Sequence, residues 1–111
     1  MPLQHPSLLF SLTFMAMEVN RNEKDHKFEI IKDGHRATLD YQMEGPDLAL
    51  DHTYVPAALR GQGVAQQLAT YALDYARENN FRVLPYCSFV QKFISRHESY
   101  QDLVAPSFKT S

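Results

Sequence analysis

The chain has 111 residues, enough for one domain, and its 44% hydrophobic and 22% charged residues are typical of a globular protein. Its formal net charge of −2 gives no general attraction to nucleic acid or to anionic membranes. A single cysteine, Cys87, excludes an internal disulfide framework and a multi-cysteine zinc site, and it is compatible with a cytoplasmic location.

Residues 1–17 are predicted to be an appendage that does not carry the chemistry. The apolar run Leu8–Met17 is too short to span a bilayer. Neither Lys nor Arg precedes it, although a secretory signal needs a basic start. Two interpretations stay open: an extra N-terminal strand, or a disordered extension ahead of a functional start near Met15 or Met17.

Three strands in an antiparallel meander are predicted after a polar lead-in, Glu18–His26. Phe28–Ile31 forms a short strand that ends at Asp33-Gly34, which is a hairpin signal. Apolar and polar residues alternate from Ala37 to Met43, as in a half-buried antiparallel strand. The third strand, Asp47–Val55, is predicted to place four residues on one face: Leu48, Leu50, His52 and Tyr54.

The second half of the chain predicts a helix, a strand and a second helix. Apolar residues from about Gly61 to Glu78 follow the three-four spacing of a helix packed on a sheet, and Asn79-Asn80 suits a left-handed end. Phe81–Leu84 then returns as a strand parallel to the third. Ser88-x-x-Gln91 resembles a capping box that starts the second helix. The tail, residues 105–111, is predicted to be loose.

The segment from Val55 to Ala65 joins a strand to a helix through two glycines and predicts an anion site. Helix N-termini expose unpaired amides with partial positive charge, and a bare glycine turn lets a phosphate approach them closely. A dinucleotide fingerprint is excluded, since a third small residue is replaced by Gln66 and no acidic residue follows about 20 positions on. A Walker loop is excluded too, because no Gly-Lys-Ser/Thr step occurs.

What remains is Arg60-x-x-Gly63-x-Ala65, which looks like motif A of the GNAT superfamily of acetyl-CoA-dependent N-acetyltransferases. Further segments resemble one branch of it, the very small single-domain predicted acetyltransferases. Those segments are Val55-Pro56-x-x-Leu59, Ala76-Arg77-Glu78-Asn79, Val83-x-Pro85-x-Cys87-x-Phe89-Val90 and Arg96-His97-x-x-Tyr100-x-Asp102-Leu103-Val104.

The resemblance implies a minimal GNAT fold of the mixed α/β (α+β) class over residues 18–104. In that family acetyl-CoA lies between two splayed parallel strands. Its pantetheine arm pairs with the strand that ends at Val55, and its diphosphate sits on the glycine turn. The residues expected to bind the cofactor are Val55, Arg60, Gly61, Gln62, Gly63, Val64 and Ala65.

Three side chains are candidates for catalysis. Cys87, just past the fourth strand, is either a nucleophile that accepts acetyl or a small residue packed near the pantetheine. His52 is either a general base or a core-edge histidine satisfied by a carbonyl. Tyr86 is expected near the cleft, where a tyrosine often protonates the departing thiolate in GNAT enzymes. The remaining histidines lack ligand spacing, so no metal is expected.

The predicted activity is transfer of an acetyl group to an amine by direct attack in a ternary complex. One alternative is a CoA-binding or regulatory module without catalysis, and another is an interaction domain without cofactor. The expected partner is a small-molecule or protein amine, with no nucleic acid and no membrane, and the protein is expected to be a monomer or weak homodimer.

Overall fold

Residues 17–109 are described by a computed structural model, in which five strands form a single sheet. The strands are β1 Asn20–Asn22, β2 Lys27–Lys32, β3 His35–Glu44, β4 Asp47–Tyr54 and β5 Arg82–Pro85. The helices are α1 Val64–Glu78, α2 Ser88–Ser95 and α3 Pro106–Lys109, with 3₁₀ helices at Ala57–Leu59 and Glu98–Leu103. The predicted appendage therefore lies outside the described residues, except for Met17, which packs against the core.

The strands lie in chain order across the sheet, β1-β2-β3-β4-β5. The first four are antiparallel neighbours, and β5 pairs parallel with β4 after the crossover through α1. This arrangement confirms the predicted mixed α/β fold, with its meander followed by a parallel strand.

The polar lead-in predicted for Glu18–His26 lies at the surface, but the prediction missed a strand within it, because Asn20–Asn22 forms the edge strand β1. Arg21 explains why this polar segment is held on the sheet. Its guanidinium donates to the Tyr41 hydroxyl at 3.2 Å and lies 4.8 Å from the centre of the Tyr75 ring. Both aromatic partners are distant in the sequence, so local composition did not indicate the strand.

The core lies between the sheet and α1. The apolar stripe of α1 packs on the inward face of β2, β3 and β4, and its fully buried members include Leu68, Ala72 and Leu73. The helix ends as predicted, since Asn80 adopts a left-handed φ of 60°. A smaller cluster covers part of the other sheet face and comprises Ala49, Leu84 and Ala105, with Phe108 against it.

A β-bulge in β4 changes the predicted faces of that strand. Asp40 pairs with His52 and Tyr41 pairs with Leu50, which leaves Asp51 as an extra residue. Directly paired residues share a face, so Thr53, opposite Leu39, returns to the core side. The prediction that His52 and Tyr54 share the face of Leu48 and Leu50 is wrong, because the bulge turns both outward, and both are exposed.

Two further predictions near the C-terminus are wrong. The N-cap of α2 is Cys87 rather than Ser88, and no side-chain cap bond forms, so Ser88 and Gln91 make no capping box. The tail is not loose at its start. Ala105 is 1% exposed, and its amide donates to the Val83 carbonyl at 2.9 Å, which extends the sheet edge.

Adjacent isoleucines on β2 test which sheet face carries the core. Ile30 is 0% exposed, whereas Ile31 is 59% exposed. Ile30→Ala is expected to lower the free energy of unfolding by about 2–5 kcal/mol, because it removes buried methyl groups and leaves a cavity. Ile31→Ala, the matched control, is expected to cost less than about 1 kcal/mol. Denaturant unfolding of both variants measures this, and equal losses would contradict the assignment of faces.

Candidate functional site

The candidate site begins where the β4–β5 ladder stops. Parallel pairing runs from Asp47–Arg82 to Leu50–Pro85, and the Cys87 amide then donates to the Leu50 carbonyl at 2.9 Å. β4 continues to Tyr54, paired on its other side with β3. Among residues 17–109, none pairs with the β5 side of β4 after Leu50. The two strands therefore separate and leave an open strand edge, where backbone groups are available to a ligand.

The open edge leads to the glycine turn. A 3₁₀ helix, Ala57–Leu59, carries the chain from β4 into the turn, and Gly63 is the N-cap of α1. Gly61 and Gly63 have φ values of +77° and +76°, which glycine adopts without strain. Within the described part of the chain, no atom outside the neighbouring residues lies within 4 Å of where a Cβ would stand on either glycine. The space over the turn is therefore open.

Backbone amides at this turn are available to an anion. The first hydrogen bond of α1 runs from the Gln67 amide to the Gly63 carbonyl, at 3.0 Å. The amides of Val64, Ala65 and Gln66 consequently have no acceptor within the helix, and they lie at its positive end. This geometry fits a diphosphate.

A cavity of about 320 Å³ lies over the turn. Its lining includes six of the seven residues predicted to bind cofactor: Val55, Arg60, Gly61, Gly63, Val64 and Ala65. Gln62, the seventh, does not line it. The Gln62 side chain donates to the Ala58 carbonyl at 3.1 Å and accepts from Lys32 at 2.8 Å. The Arg60 guanidinium stays near the cavity and donates to the Val55 carbonyl at 3.1 Å.

Cys87 lies where β4 and β5 separate. Its side chain is 8% exposed, and its Sγ is 3.2 Å from Thr53 Oγ1, so thiol and hydroxyl share a hydrogen bond. As the N-cap residue of α2, Cys87 also adjoins the open amides of that helix. The structure thus places Cys87 at the inner end of the opening, on the core side of the sheet.

His52 and Tyr86 lie on the opposite side of the sheet from Cys87. His52 is exposed on the open stretch of β4, one residue before Thr53. The Tyr86 hydroxyl donates to Glu44 at 3.0 Å, and this hydrogen bond raises the pKa of Tyr86. Glu44 pairs with Asp47 at the far end of β4. The expected position of Tyr86 in the cleft is therefore wrong for its hydroxyl, which lies away from the turn.

Sequence reasoning missed two contacts of the site. The alternation predicted for Asp47–Val55 puts Thr53 on the face opposite Leu48 and Leu50, and only the bulge brings it to Cys87. Lys32 ends β2, thirty residues before Gln62, and no local pattern connects it to the turn. A contact between distant strands and loops leaves no trace in periodicity, so neither contact was predictable from spacing.

Two general features of the described residues bear on the site. The helices of residues 17–109 are all too short or too polar to cross a bilayer. In the same residues, no three His, Cys, Asp or Glu side chains are grouped so that they would hold a metal ion.

Comparison with known proteins identifies the class of fold that carries this site. A family model described as GCN5-related N-acetyl-transferase matches residues 27–103. The chain therefore belongs to the GCN5-related N-acetyltransferase family. The resemblance found in the sequence is thereby confirmed.

Sequence and structural similarity to individual proteins supports the same family. Protein NATD1 from Bos taurus is 34% identical over 84 residues, which cover 73% of this chain and 74% of the relative. Protein NATD1 from Homo sapiens is 32% identical, with the same coverage of 73% and 74%. An NMR structure of a GCN5-like protein from Staphylococcus aureus has a TM-score of 0.64 and 32% identity, and the match covers 80% of this chain and 88% of that chain.

The bulge residue Asp51 gives a pH-dependent prediction. Burial raises the pKa of Asp51, and the nearby carboxylates of Glu44 and Asp40 raise it further. The folded state then binds this proton more tightly than the unfolded chain, so the charged form of Asp51 destabilises the fold at pH values above the folded pKa. Asp51→Asn is expected to raise the melting temperature near neutral pH, and the gain is expected to shrink as the pH falls toward the ordinary pKa of 3.8.

Thermal unfolding of wild type and Asp51→Asn, near neutral pH and at about pH 4, measures this effect. Glu18→Gln removes an exposed carboxylate and is the control, with little change expected at either pH. A lower melting temperature for Asp51→Asn near neutral pH would show that the Asp51 charge stabilises the fold.

Proposed function

We propose that the protein transfers the acetyl group of acetyl-CoA to an amine. One observation carries the proposal: the separation of β4 from β5 after Leu50 leads directly to an open glycine turn at a helix start. A long, flexible arm that ends in a diphosphate, such as the pantetheine arm of coenzyme A, fits this arrangement. Membership of the family supports the same reaction class.

Each part of the arrangement has a role in binding. The turn from Arg60 to Ala65 would hold the diphosphate, chiefly through backbone amides. The open edge of β4 would pair with the amide-containing pantetheine arm, as a further strand would. Because the diphosphate would anchor one end of the pantetheine arm, the thioester at its other end would lie near Thr53 and Cys87, where the strands separate.

The protein's own groups would then promote attack by the amine. Bound acetyl-CoA supplies an acetyl group activated as a thioester. The reaction forms an amide C–N bond and breaks the thioester C–S bond. The ammonium group loses two protons, of which the leaving CoA thiolate takes one, so the products are the amide, free CoA thiol and one proton. His52 is exposed on the other face of β4, next to Thr53, and is the proposed acceptor of the ammonium proton, directly or through water, from an amine that enters from that face. A backbone amide near Val55 would stabilise the developing oxyanion.

We favour direct attack over an acetyl-Cys87 intermediate. The Cys87 thiol is buried and hydrogen-bonded to Thr53, so it lines the reaction site without an observed base beside it in residues 17–109. The proposed acceptor is a small-molecule or protein amine. The cytoplasmic location and the oligomeric state, a monomer or weak homodimer, stay predictions. Binding of CoA without turnover over a broad amine panel would favour the non-catalytic alternative.

Glycine substitutions test cofactor binding. Gly61→Ala and Gly63→Ala are each expected to weaken CoA binding by about tenfold or more, because the new Cβ enters the open space where the diphosphate approaches. Gly45→Ala is the matched control, since Gly45 also has a positive φ, +62°, but lies in the distant β3–β4 hairpin. It should lose similar stability and keep its affinity for CoA.

Isothermal calorimetry, supported by the rise in melting temperature with CoA, measures the affinities. Equal loss of affinity in all three variants would indicate a general loss of stability. No binding of CoA to wild type would refute the proposed function.

Substitutions at Cys87 and His52 test the route of transfer. Direct attack predicts that Cys87→Ala keeps turnover within about threefold of wild type, whereas His52→Gln loses about a hundredfold. His35→Gln, an exposed histidine on β3, is the control. Turnover is measured with the best amine from the panel. Incubation of wild type with labelled acetyl-CoA alone should leave no label on Cys87, and stable label there together with an inactive Cys87→Ala would establish the covalent route.

A further inference from the structure

A second cleft adjoins the glycine turn, between the first turn of α1 and one face of α2. We call it the basic cleft, and its lining is Gln66, Phe89, Lys92, Phe93, Arg96 and His97. Gln66 also lines the cavity over the glycine turn, so the two spaces meet at this side chain. A ligand held at the turn therefore has the basic cleft as its immediate neighbour.

Aromatic rings form the floor of the basic cleft. Positions 89, 92, 93 and 96 follow the three-four spacing of a single helix face. The rings of Phe93 and His97 stack with centroids 4.0 Å apart, and Phe89 lies 6.3 Å from Phe93. His97 Nδ1 donates to the Phe93 carbonyl at 2.7 Å, which holds the imidazole in place. The floor is thus an ordered, mainly apolar surface.

Two cationic side chains beside these rings have no acidic partner among residues 17–109. Lys92 and Arg96 are exposed, and within residues 17–109 neither forms an ion pair. Elsewhere in the same residues, carboxylates pair with Arg21, Lys27, Arg36 and Arg77. Unpaired cations beside an apolar floor favour a ligand that combines an anionic group with a flat ring.

Coenzyme A carries such a group close to its diphosphate. The 5′-diphosphate and the 3′-phosphate are attached to the same ribose, which also bears the adenine. With the diphosphate on the glycine turn, the 3′-phosphate and adenine must lie within one nucleoside's reach of that turn.

We propose that the basic cleft binds the 3′-phosphoadenosine end of coenzyme A, with Lys92 and Arg96 on the 3′-phosphate. The inference rests on the proposed function, because it requires the diphosphate at the glycine turn. Two other cations near the turn are already engaged: Arg60 bonds the Val55 carbonyl, and Lys32 bonds Gln62. Lys92 and Arg96 are free of such bonds among the described residues, and they make the cleft select coenzyme A over its 3′-dephospho form.

The experiment compares CoA with 3′-dephospho-CoA by calorimetry on the full chain. Wild type is expected to bind CoA about tenfold or more tightly than 3′-dephospho-CoA, because charge-assisted contacts to the phosphate are lost in the latter. The double variant Lys92→Gln/Arg96→Gln should lose this preference while its affinity for 3′-dephospho-CoA stays within about twofold of wild type. Lys24→Gln removes an exposed lysine in the β1–β2 turn, controls for the loss of a surface positive charge elsewhere, and should keep the preference.

Each outcome separates the two proposals. A double variant that keeps the full preference overturns the inference, and so does loss of the preference in Lys32→Gln instead. Equal binding of both ligands by wild type overturns the inference and leaves the proposed function intact. Binding of neither ligand overturns both. The comparison of the two ligands on wild type uses no substitution, so its result remains valid even where a variant is unstable.

Discussion

The hydrogen bonds between β4 and β5 end at Leu50, and the rest of the site depends on that end. Beyond it, β3 still holds β4 up to Tyr54, so the strand keeps its course while one of its edges opens. An open edge inside a sheet presents donors and acceptors that need partners. The chain runs from this edge into a helix start whose own first amides have no acceptor within the helix, so two sets of unpaired backbone groups lie close together in the sequence.

The distribution of charge around α1 matters more than the total charge. The formal net charge is −2, yet Lys32, Arg60, Lys92 and Arg96 all come from segments that meet at the start of α1. The helix terminus adds partial positive charge at the same point. A local positive field can therefore attract a phosphate-rich ligand to a weakly acidic protein. The net charge indicated no general attraction to nucleic acid, but it could not indicate that these four cations lie near one another.

The predictable parts of the fold are the elements whose residue pattern is complete within a short stretch of sequence. Strands β2 to β5 and helix α1 follow from alternation, three-four spacing and turn residues, and the glycine turn followed from its position between a strand and a helix. Strand β1 was missed because a polar segment is held by Arg21 on two distant aromatic rings. The loose tail was wrong because the Ala105 amide finds its acceptor, the Val83 carbonyl, in another strand.

By itself, the amino-acid sequence determined the fold class, the family and the position of the open glycine turn, because glycine conformation and helix termini are local properties. Only the tertiary structure decided which side chains meet there. One extra residue at Asp51 reverses the alternation of β4, and this single shift brings Thr53 to Cys87 and turns His52 outward. A bulge depends on how two strands pair, and that pairing is a property of the assembled sheet rather than of either strand alone.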